Sequence, residues 1–131
     1  MSANHDNLKP QPPPVRGTAK PTWETVVENC FALAGHARRE GKCSAADVWR
    51  LLAGDGEARD AFGAEKYGTR HQHDNGRDHA RDAYQEALDG MMYAYAECER
   101  VHFTPAALEL YEESRVLAFR WRRYLLERDG R

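Results

Sequence analysis

The 131-residue sequence lacks long apolar runs, paired cysteines and any large net charge. Without about 20 consecutive apolar residues, no segment is predicted to cross a bilayer. The opening MSANHDNLKPQPPP has no apolar stretch of the kind found in secretory signals. Cys30, Cys43 and Cys98 form no CxxC pair, which favours reduced thiols. The formal net charge of −2 gives no global field that would attract nucleic acid. These absences predict a cytoplasmic protein with neither a membrane nor a nucleic-acid partner.

The N-terminal segment differs in composition from the rest of the chain. Residues 1–21 are polar and contain five of the six prolines. Such a segment cannot bury enough apolar surface to offset the entropy lost on ordering. We therefore predict a flexible arm over residues 1–21, with a polyproline-type partner contact as an alternative. Residues 22–131 are predicted to form a single helical domain, because this length and a hydrophobic fraction of 41% suit one core.

The hydrophobic pattern after residue 21 is helical throughout. Apolar residues recur at spacings of three and four, and no window alternates with the period of a strand. The fold class predicted is all-α, a bundle of about five helices with short connections. The predicted helices run from a Thr22 cap to Gly41, from a Ser44 cap to Gly54, from Gly56 to Tyr67, from about Arg77 to Val101, and from Thr104-Pro105 to about Arg128.

The stretch DAYQEALDG belongs to an acidic stripe on the fourth predicted helix. At about 100° per residue, Asp78, Asp82, Glu86 and Asp89 fall on one side of that helix. Carboxylates four residues apart repel each other by a few tenths of a kcal/mol. No Lys or Arg is interspersed on this side, and a divalent cation such as Mg²⁺, which prefers oxygen ligands, would remove the repulsion. The alternative is the solvated face of an ordinary amphipathic helix.

A second acidic pair precedes this stripe. The sequence EARD places Glu57 and Asp60 three residues apart, on one face of the third predicted helix. The pattern is Glu57-x-x-Asp60, 25 residues, then Glu86-x-x-Asp89. Two facing helices could direct these four carboxylates at one ion.

This layout resembles the MazG-like all-α nucleoside triphosphate pyrophosphohydrolases, which carry an ExxE-type pair followed by an ExxD pair. The block from EARD through KYGT, NGRD and DAYQEALD, over roughly residues 57–97, is also similar to a segment of small phage and prophage proteins. The sequence departs from the family pattern in two places. Gly56 stands where the group usually has an extra Glu, and Asp60 replaces the second Glu of the first pair.

The resemblance implies Mg²⁺-dependent hydrolysis, with Mn²⁺ as a possible substitute, of a (deoxy)nucleoside triphosphate to monophosphate and pyrophosphate. It also implies a homo-oligomer, a dimer or tetramer. The residues it assigns are Glu57, Asp60, Glu86 and Asp89 as metal ligands, Glu57 also as the group that activates water, and Asp82 as their support.

Cations for binding phosphate lie between the two acidic pairs. Lys66, Arg70 and Arg77 are predicted to bind the substrate, with Gly68 permitting a tight turn in KYGTR. Solvated helix ends are the alternative for Lys66 and Arg77. A second class of function also fits the sequence: a non-enzymatic phage-type binding or inhibitor protein that presents its acidic helix face to a basic partner.

Overall fold

The structure, a computed structural model, describes residues 5–131. All regular secondary structure in that range is helical, which confirms the all-α prediction. A short 3-10 helix at Asp6–Leu8 precedes four α-helices: α1 (Thr22–Arg39), α2 (Cys43–Tyr67), α3 (His79–Arg100) and α4 (Pro105–Asp129). Within residues 5–131, no helix has the length and apolar character needed to span a bilayer. Residues 1–4 of the predicted arm lie outside the described residues.

The predicted count of five helices is wrong, because the second and third predicted helices are one. Helix α2 continues for 25 residues through Gly54 and Gly56. A glycine inside a helix costs about 1 kcal/mol relative to alanine, and packing can outweigh that cost. At Gly56 the reason is visible: a Cβ there would lie 3.1 Å from Val27 Cγ2 and 3.2 Å from the Trp23 ring. The missing side chain lets α1 approach α2 closely, so this glycine favours the helix pair.

Two predicted caps are also corrected. Helix α2 begins at Cys43 with Lys42 as its N-cap, so Ser44 already lies inside the helix. The N-cap of α1 is Pro21, and Thr22 is the first helical residue. Thr22 is engaged elsewhere: its N–H donates to the His71 carbonyl oxygen at 2.8 Å, and its hydroxyl lies 3.2 Å from His71 Nδ1.

The start of α4 is confirmed as predicted. Thr104 is the N-cap and accepts a hydrogen bond from the Ala107 N–H at 3.4 Å, and Pro105 occupies the first helical position. Proline suits that position because its missing N–H would have no partner there. The helix ends at Asp129, one residue beyond the predicted end, and Gly130 closes it with a left-handed φ of 73°.

The chain divides into two compact units, and each is described by itself. The first unit comprises residues 12–77 and contains the antiparallel hairpin of α1 and α2. Its buried seam is built from small side chains: Val27, Ala34, Ala37, Ala46, Ala53 and Gly56. The connection between the helices is only three residues long, with Gly41 at a φ of 75°. Small residues at the seam allow the two helix backbones to pack closely.

The second unit comprises residues 5–11 and 78–131 of the described chain and contains the hairpin of α3 and α4. The buried residues of α3 and α4 are again mostly small: Ala87, Cys98, Ala107, Ala118 and Leu125. At the turn between the helices, Phe103 packs edge-on against Tyr95 with ring centroids 5.7 Å apart. The single domain predicted for residues 22–131 stays a prediction, because it concerns how the two units combine.

The described part of the N-terminal segment makes specific hydrogen bonds, so a flexible arm is not confirmed. In the first unit, the Val15 N–H donates to the Asn75 carbonyl oxygen at 2.9 Å. The Gly17 N–H donates to Gln72 Oε1 at 2.8 Å, and the Thr18 N–H donates to Asp74 Oδ2 at 2.7 Å. A Cβ at Gly17 would lie 2.1 Å from Asp74 Oδ1. Glycine is therefore required for this segment to approach the loop before α3.

Candidate acidic site

The acidic stripe of α3 runs beside the seam with α4, and Glu86 lines a shallow groove with Ser114 and Leu117 of α4. Glu86 and Asp89 are exposed, whereas Ala87, between them in sequence, is buried. Among residues 5–131, neither carboxylate has an ion pair or a side-chain hydrogen bond. Asp82, one turn earlier, is half-buried and accepts a hydrogen bond from Gln11 Nε2 at 2.8 Å. Glu86 and Asp89 are thus two uncompensated carboxylates one turn apart.

Asp78, at the start of the stripe, has a structural role. It is the N-cap of α3 and accepts a hydrogen bond from the Arg81 N–H at 3.3 Å. Its two oxygens also accept from Arg128 Nη1 at 3.0 Å and Nη2 at 2.6 Å. The hydrogen bonds from Arg128 hold the pKa of Asp78 below its usual value. This carboxylate fastens the start of α3 to the end of α4.

The two members of the first acidic pair have different surroundings. Glu57 is exposed on α2 and has no partner among the described residues. Asp60 is only 15% exposed and accepts from Arg70 Nε at 3.1 Å and Nη2 at 2.5 Å. Arg70 also donates to Glu24 Oε1 at 2.7 Å. Hydrogen bonds to Asp60 and then to Glu24 raise the pKa of Arg70, which stays fully charged. Asp60 is therefore already neutralised by a protein cation.

Glu24 is a member of this group that sequence reasoning missed. It lies on α1, and with Glu28 it follows the four-residue spacing of one helix face. These two residues line a shallow cleft of about 320 Å³ together with Trp23, Val27, Phe31, Glu57, Asp60 and Arg70. The signal that could have revealed Glu24 was its position one turn from the apolar seam of α1, opposite the EARD stretch in an antiparallel hairpin. The first acidic pair thus belongs to a four-carboxylate cleft with Arg70 inside it.

The three predicted phosphate-binding cations each interact with another group of the protein. The Lys66 ammonium lies 5.1 Å from the centre of the Tyr67 ring. Arg77 Nη1 donates to the Pro12 carbonyl oxygen at 2.8 Å, and Arg70 binds the two carboxylates described above. Gly68 ends α2 with a φ of 71°, as its predicted role in a tight turn requires. Phosphate binding by the three cations stays a prediction.

The NGRD segment before α3 is a turn and a helix cap. Asn75 Oδ1 accepts a hydrogen bond from the Arg77 N–H at 3.1 Å, and Gly76 adopts a φ of 79°. Asp78 then caps α3. The side chain of Asn75 is almost completely buried, at 1% exposure. The geometry of this segment accounts for Asn75, Gly76 and Asp78.

Within residues 5–131, no three His, Cys, Asp or Glu side chains converge as metal ligands would. The Glu57–Asp60 pair lies in one compact unit and the Glu86–Asp89 pair in the other. The four-carboxylate metal site therefore stays a prediction.

Comparison with known proteins gives no relative for the chain. It matches no protein-family model, no curated protein and no solved structure. The resemblance to the MazG-like enzymes therefore rests on the acidic pairs and the short motifs between them.

Proposed function

We propose that the chain is a Mg²⁺-dependent nucleotide pyrophosphohydrolase that converts a (deoxy)nucleoside triphosphate to the monophosphate and pyrophosphate. The observation that carries the proposal is the pair Glu86 and Asp89. These carboxylates lie one helical turn apart, exposed, and without a partner among residues 5–131. Their mutual repulsion is unexplained by packing or capping, and a bound cation would relieve it.

The predicted carboxylate ligands meet the coordination requirements of Mg²⁺ in part. This ion is commonly held by one or two carboxylates, with water and substrate phosphate completing its shell. Glu86 and Asp89 meet that requirement, and Glu57 is likewise unpaired among the described residues. Asp60 fits less well, because it would have to exchange Arg70 for the metal. When bound, Mg²⁺ would neutralise the triphosphate and polarise the phosphoryl group that is attacked.

The remaining roles follow from the same proposal. Glu57 would accept the proton of the attacking water, a task that suits an exposed carboxylate within reach of solvent. Asp82, held by Gln11, would support the α3 ligands. Lys66 and Arg77 would contact phosphate oxygens. Arg70 could join them only by releasing Asp60, so substrate binding and metal binding at Asp60 would occur together.

The test is Mg²⁺-dependent release of pyrophosphate from a panel of ribo- and deoxynucleoside triphosphates. Glu86→Gln keeps the shape of the side chain and removes its charge, and we expect it to lower the rate on the order of 100-fold or more. Glu99→Gln is the matched control, because Glu99 is an exposed glutamate on the same helix, outside the pair. Equal activity of wild type and Glu86→Gln would defeat the assignment of Glu86.

A second candidate is a binding protein that presents the acidic face of α3 to a basic partner. The exposure of Glu86, Asp89 and Tyr93 favours it, since binding requires only an accessible charged surface. No pyrophosphate release from any nucleotide, together with a melting temperature unchanged by Mg²⁺, would support this candidate against the enzyme.

A further inference from the structure

The outer face of α4 carries charges that are segregated along the helix. We define this face by Glu109, Glu112, Val116, Arg120 and Arg123, which fall within about 80° of arc at 100° per residue. All five residues are exposed. The opposite side of the helix is the buried one, with its small residues at the seam with α3. The outer face is therefore not part of the hairpin core.

The order of the charges on this face is symmetric about Val116. Glu109 and Glu112 lie seven and four residues before it, and Arg120 and Arg123 lie four and seven residues after it. With a rise of 1.5 Å per residue, each charge lies about 6 or 10.5 Å from Val116 along the helix axis. Around Val116, acids precede and arginines follow at matching distances, while the exposed Glu127 lies on the same side beyond the arginines, eleven residues after Val116.

None of these four charged side chains forms an ion pair with another residue of the described chain. A solvated helix usually places an acid four residues before a base. Here the residues four before Arg120 and Arg123 are Val116 and Phe119. The helix dipole favours acids only in the first turn and bases only in the last, and the four charges lie outside those turns. Within α4, the Arg123 guanidinium lies over the Phe119 ring, 5.4 Å from its centre, but no ion pair within the helix accounts for the order of the four charges.

Apolar side chains flank the charges on the solvent side of α4. Val116 is 46% exposed, Leu117 51% and Phe119 62%. Leu117 and Phe119 lie on opposite flanks of the face, about 100° and 60° around the helix from Val116. Exposed large apolar side chains beside a charged surface are typical of a surface that another protein covers.

We propose that the outer face of α4 is the contact between two copies of this chain, with the two helices antiparallel and the twofold axis at Val116. Rotation about that axis places Glu112 opposite Arg120 of the second copy, and Glu109 opposite Arg123 of the second copy. The contact is isologous, so each pair occurs twice. Val116 meets its own counterpart on the axis, with Leu117 and Phe119 beside it. The surface is complementary to itself only in this orientation, because a parallel pairing would bring acids against acids.

This proposal does not depend on the proposed hydrolysis, and its test uses mass rather than activity. Sedimentation of the wild-type chain is expected to show a dimer that dissociates as the salt concentration rises. The double variant Arg120→Glu/Arg123→Glu has an entirely acidic face and should dissociate about 100-fold more readily, as expected for the loss of four exposed ion pairs. Glu109→Arg/Glu112→Arg has an entirely basic face and should behave likewise.

The decisive step mixes the two variants. Each is expected to be monomeric alone, and an equimolar mixture is expected to form a heterodimer, because an acidic face then meets a basic one. Misfolded variants would not regain pairing on mixing, so the result separates a lost contact from a lost fold. Arg38→Glu/Arg39→Glu on α1 makes the same change of charge outside the face and should leave the dimer intact.

A cysteine placed on the axis tests the register independently. In a Cys43→Ser background, which removes the exposed native thiol, Val116→Cys should form a covalent dimer on mild oxidation. Ala106→Cys, also exposed on α4 but ten residues from the axis, should not. A monomeric wild type at concentrations near 100 µM would overturn the proposal, as would a dimer that survives in both charge-reversed variants.

Discussion

Asp78 contributes to stability in two ways, as a helix cap and as a member of an ion pair, and suitable variants separate the two contributions. Its side chain accepts a hydrogen bond from the Arg81 N–H at the start of α3 and forms a two-pronged ion pair with Arg128 near the end of α4. Asp78→Ala removes both interactions. Asp78→Asn keeps a side-chain oxygen that can cap the helix and removes only the ion pair. Arg128→Gln removes the same ion pair from the other side, together with the ion pair that Arg128 forms with the neighbouring Asp129.

The magnitudes follow from the surroundings of the two groups. Replacing a capping Asp by Ala costs about 1 kcal/mol, within a range of 0.5–2 kcal/mol. The ion pair is partly exposed, with side-chain exposures of 35% for Arg128 and 27% for Asp78, so about 0.5–1 kcal/mol is expected from it. We therefore expect Asp78→Ala to lower the free energy of unfolding by about 1.5–2 kcal/mol. Asp78→Asn and Arg128→Gln should each lower it by about half as much.

The pH dependence gives a second measurement of the ion pair. The pKa of Asp78 in the folded protein lies below its ordinary value of 3.8, chiefly because of the hydrogen bonds from Arg128. A lowered folded pKa contributes stability above the unfolded pKa, and that contribution is lost as the pH falls through the folded pKa. The difference between wild type and Asp78→Asn should therefore be constant near neutral pH and shrink below about pH 4.

Urea denaturation followed by far-ultraviolet circular dichroism measures all four proteins. The three variants should share the wild-type denaturant slope, so that midpoints report stability directly. If Asp78→Asn proves as destabilising as Asp78→Ala, the cap contributes nothing beyond the ion pair and the division is wrong. A loss in Asp78→Asn with none in Arg128→Gln would show that Arg128 is not the partner that matters.

Two further predictions concern the backbone. Gly54→Ala should raise the free energy of unfolding by about 0.5–1 kcal/mol, because Gly54 lies inside α2 and no neighbouring element comes within 4 Å of the added Cβ. Gly56→Ala should give a free energy of unfolding at least about 1 kcal/mol lower than that of Gly54→Ala, because its Cβ would press on Trp23 and Val27. Equal stabilisation of both variants in urea denaturation would contradict the close packing at Gly56. His102→Gly should stabilise the protein by about 0.5–1 kcal/mol, because His102 has a φ of 55°, which glycine adopts without strain. Phe103→Gly should not stabilise it, because this change also removes the ring contact with Tyr95. A lower melting temperature for His102→Gly would refute the argument.

The helical fold was predictable because helix signals are local. Thr104-Pro105 specifies its own cap, and the four-residue periodicity of α3 is visible without any partner. The helix break predicted at Gly54 is wrong, because the prediction considered only the low helix propensity of glycine. Gly56 favours the helix pair because its missing side chain leaves room for Trp23 and Val27, about 30 residues earlier in the chain. Long-range packing of this kind decided the helix count.

The candidate site shows the same division between local and distant information. The spacing of Glu86 and Asp89 put both on one face of α3, and both are indeed exposed. The partner of Asp60 could not be read from spacing, because Arg70 reaches it across a helix end and Glu24 reaches Arg70 from another helix. A carboxylate in a motif and a carboxylate in an ion pair look identical in sequence. Only the fold distinguishes Glu57, which is unpaired among the described residues, from Asp60, which is not.

This distinction limits what the motifs that resemble those of the MazG-like enzymes can indicate about function. In the NGRD segment, Asn75 and Asp78 are occupied with a turn and a cap, and Gly76 has the left-handed backbone that such a turn needs. Any chain that begins a helix in this way would favour the same residues, so the segment argues for a fold and carries no catalytic information. Glu86 and Asp89 satisfy no structural requirement among the described residues, and their repulsion works against the helix. The functional proposal must therefore depend on those two carboxylates, and their substitution is the informative experiment.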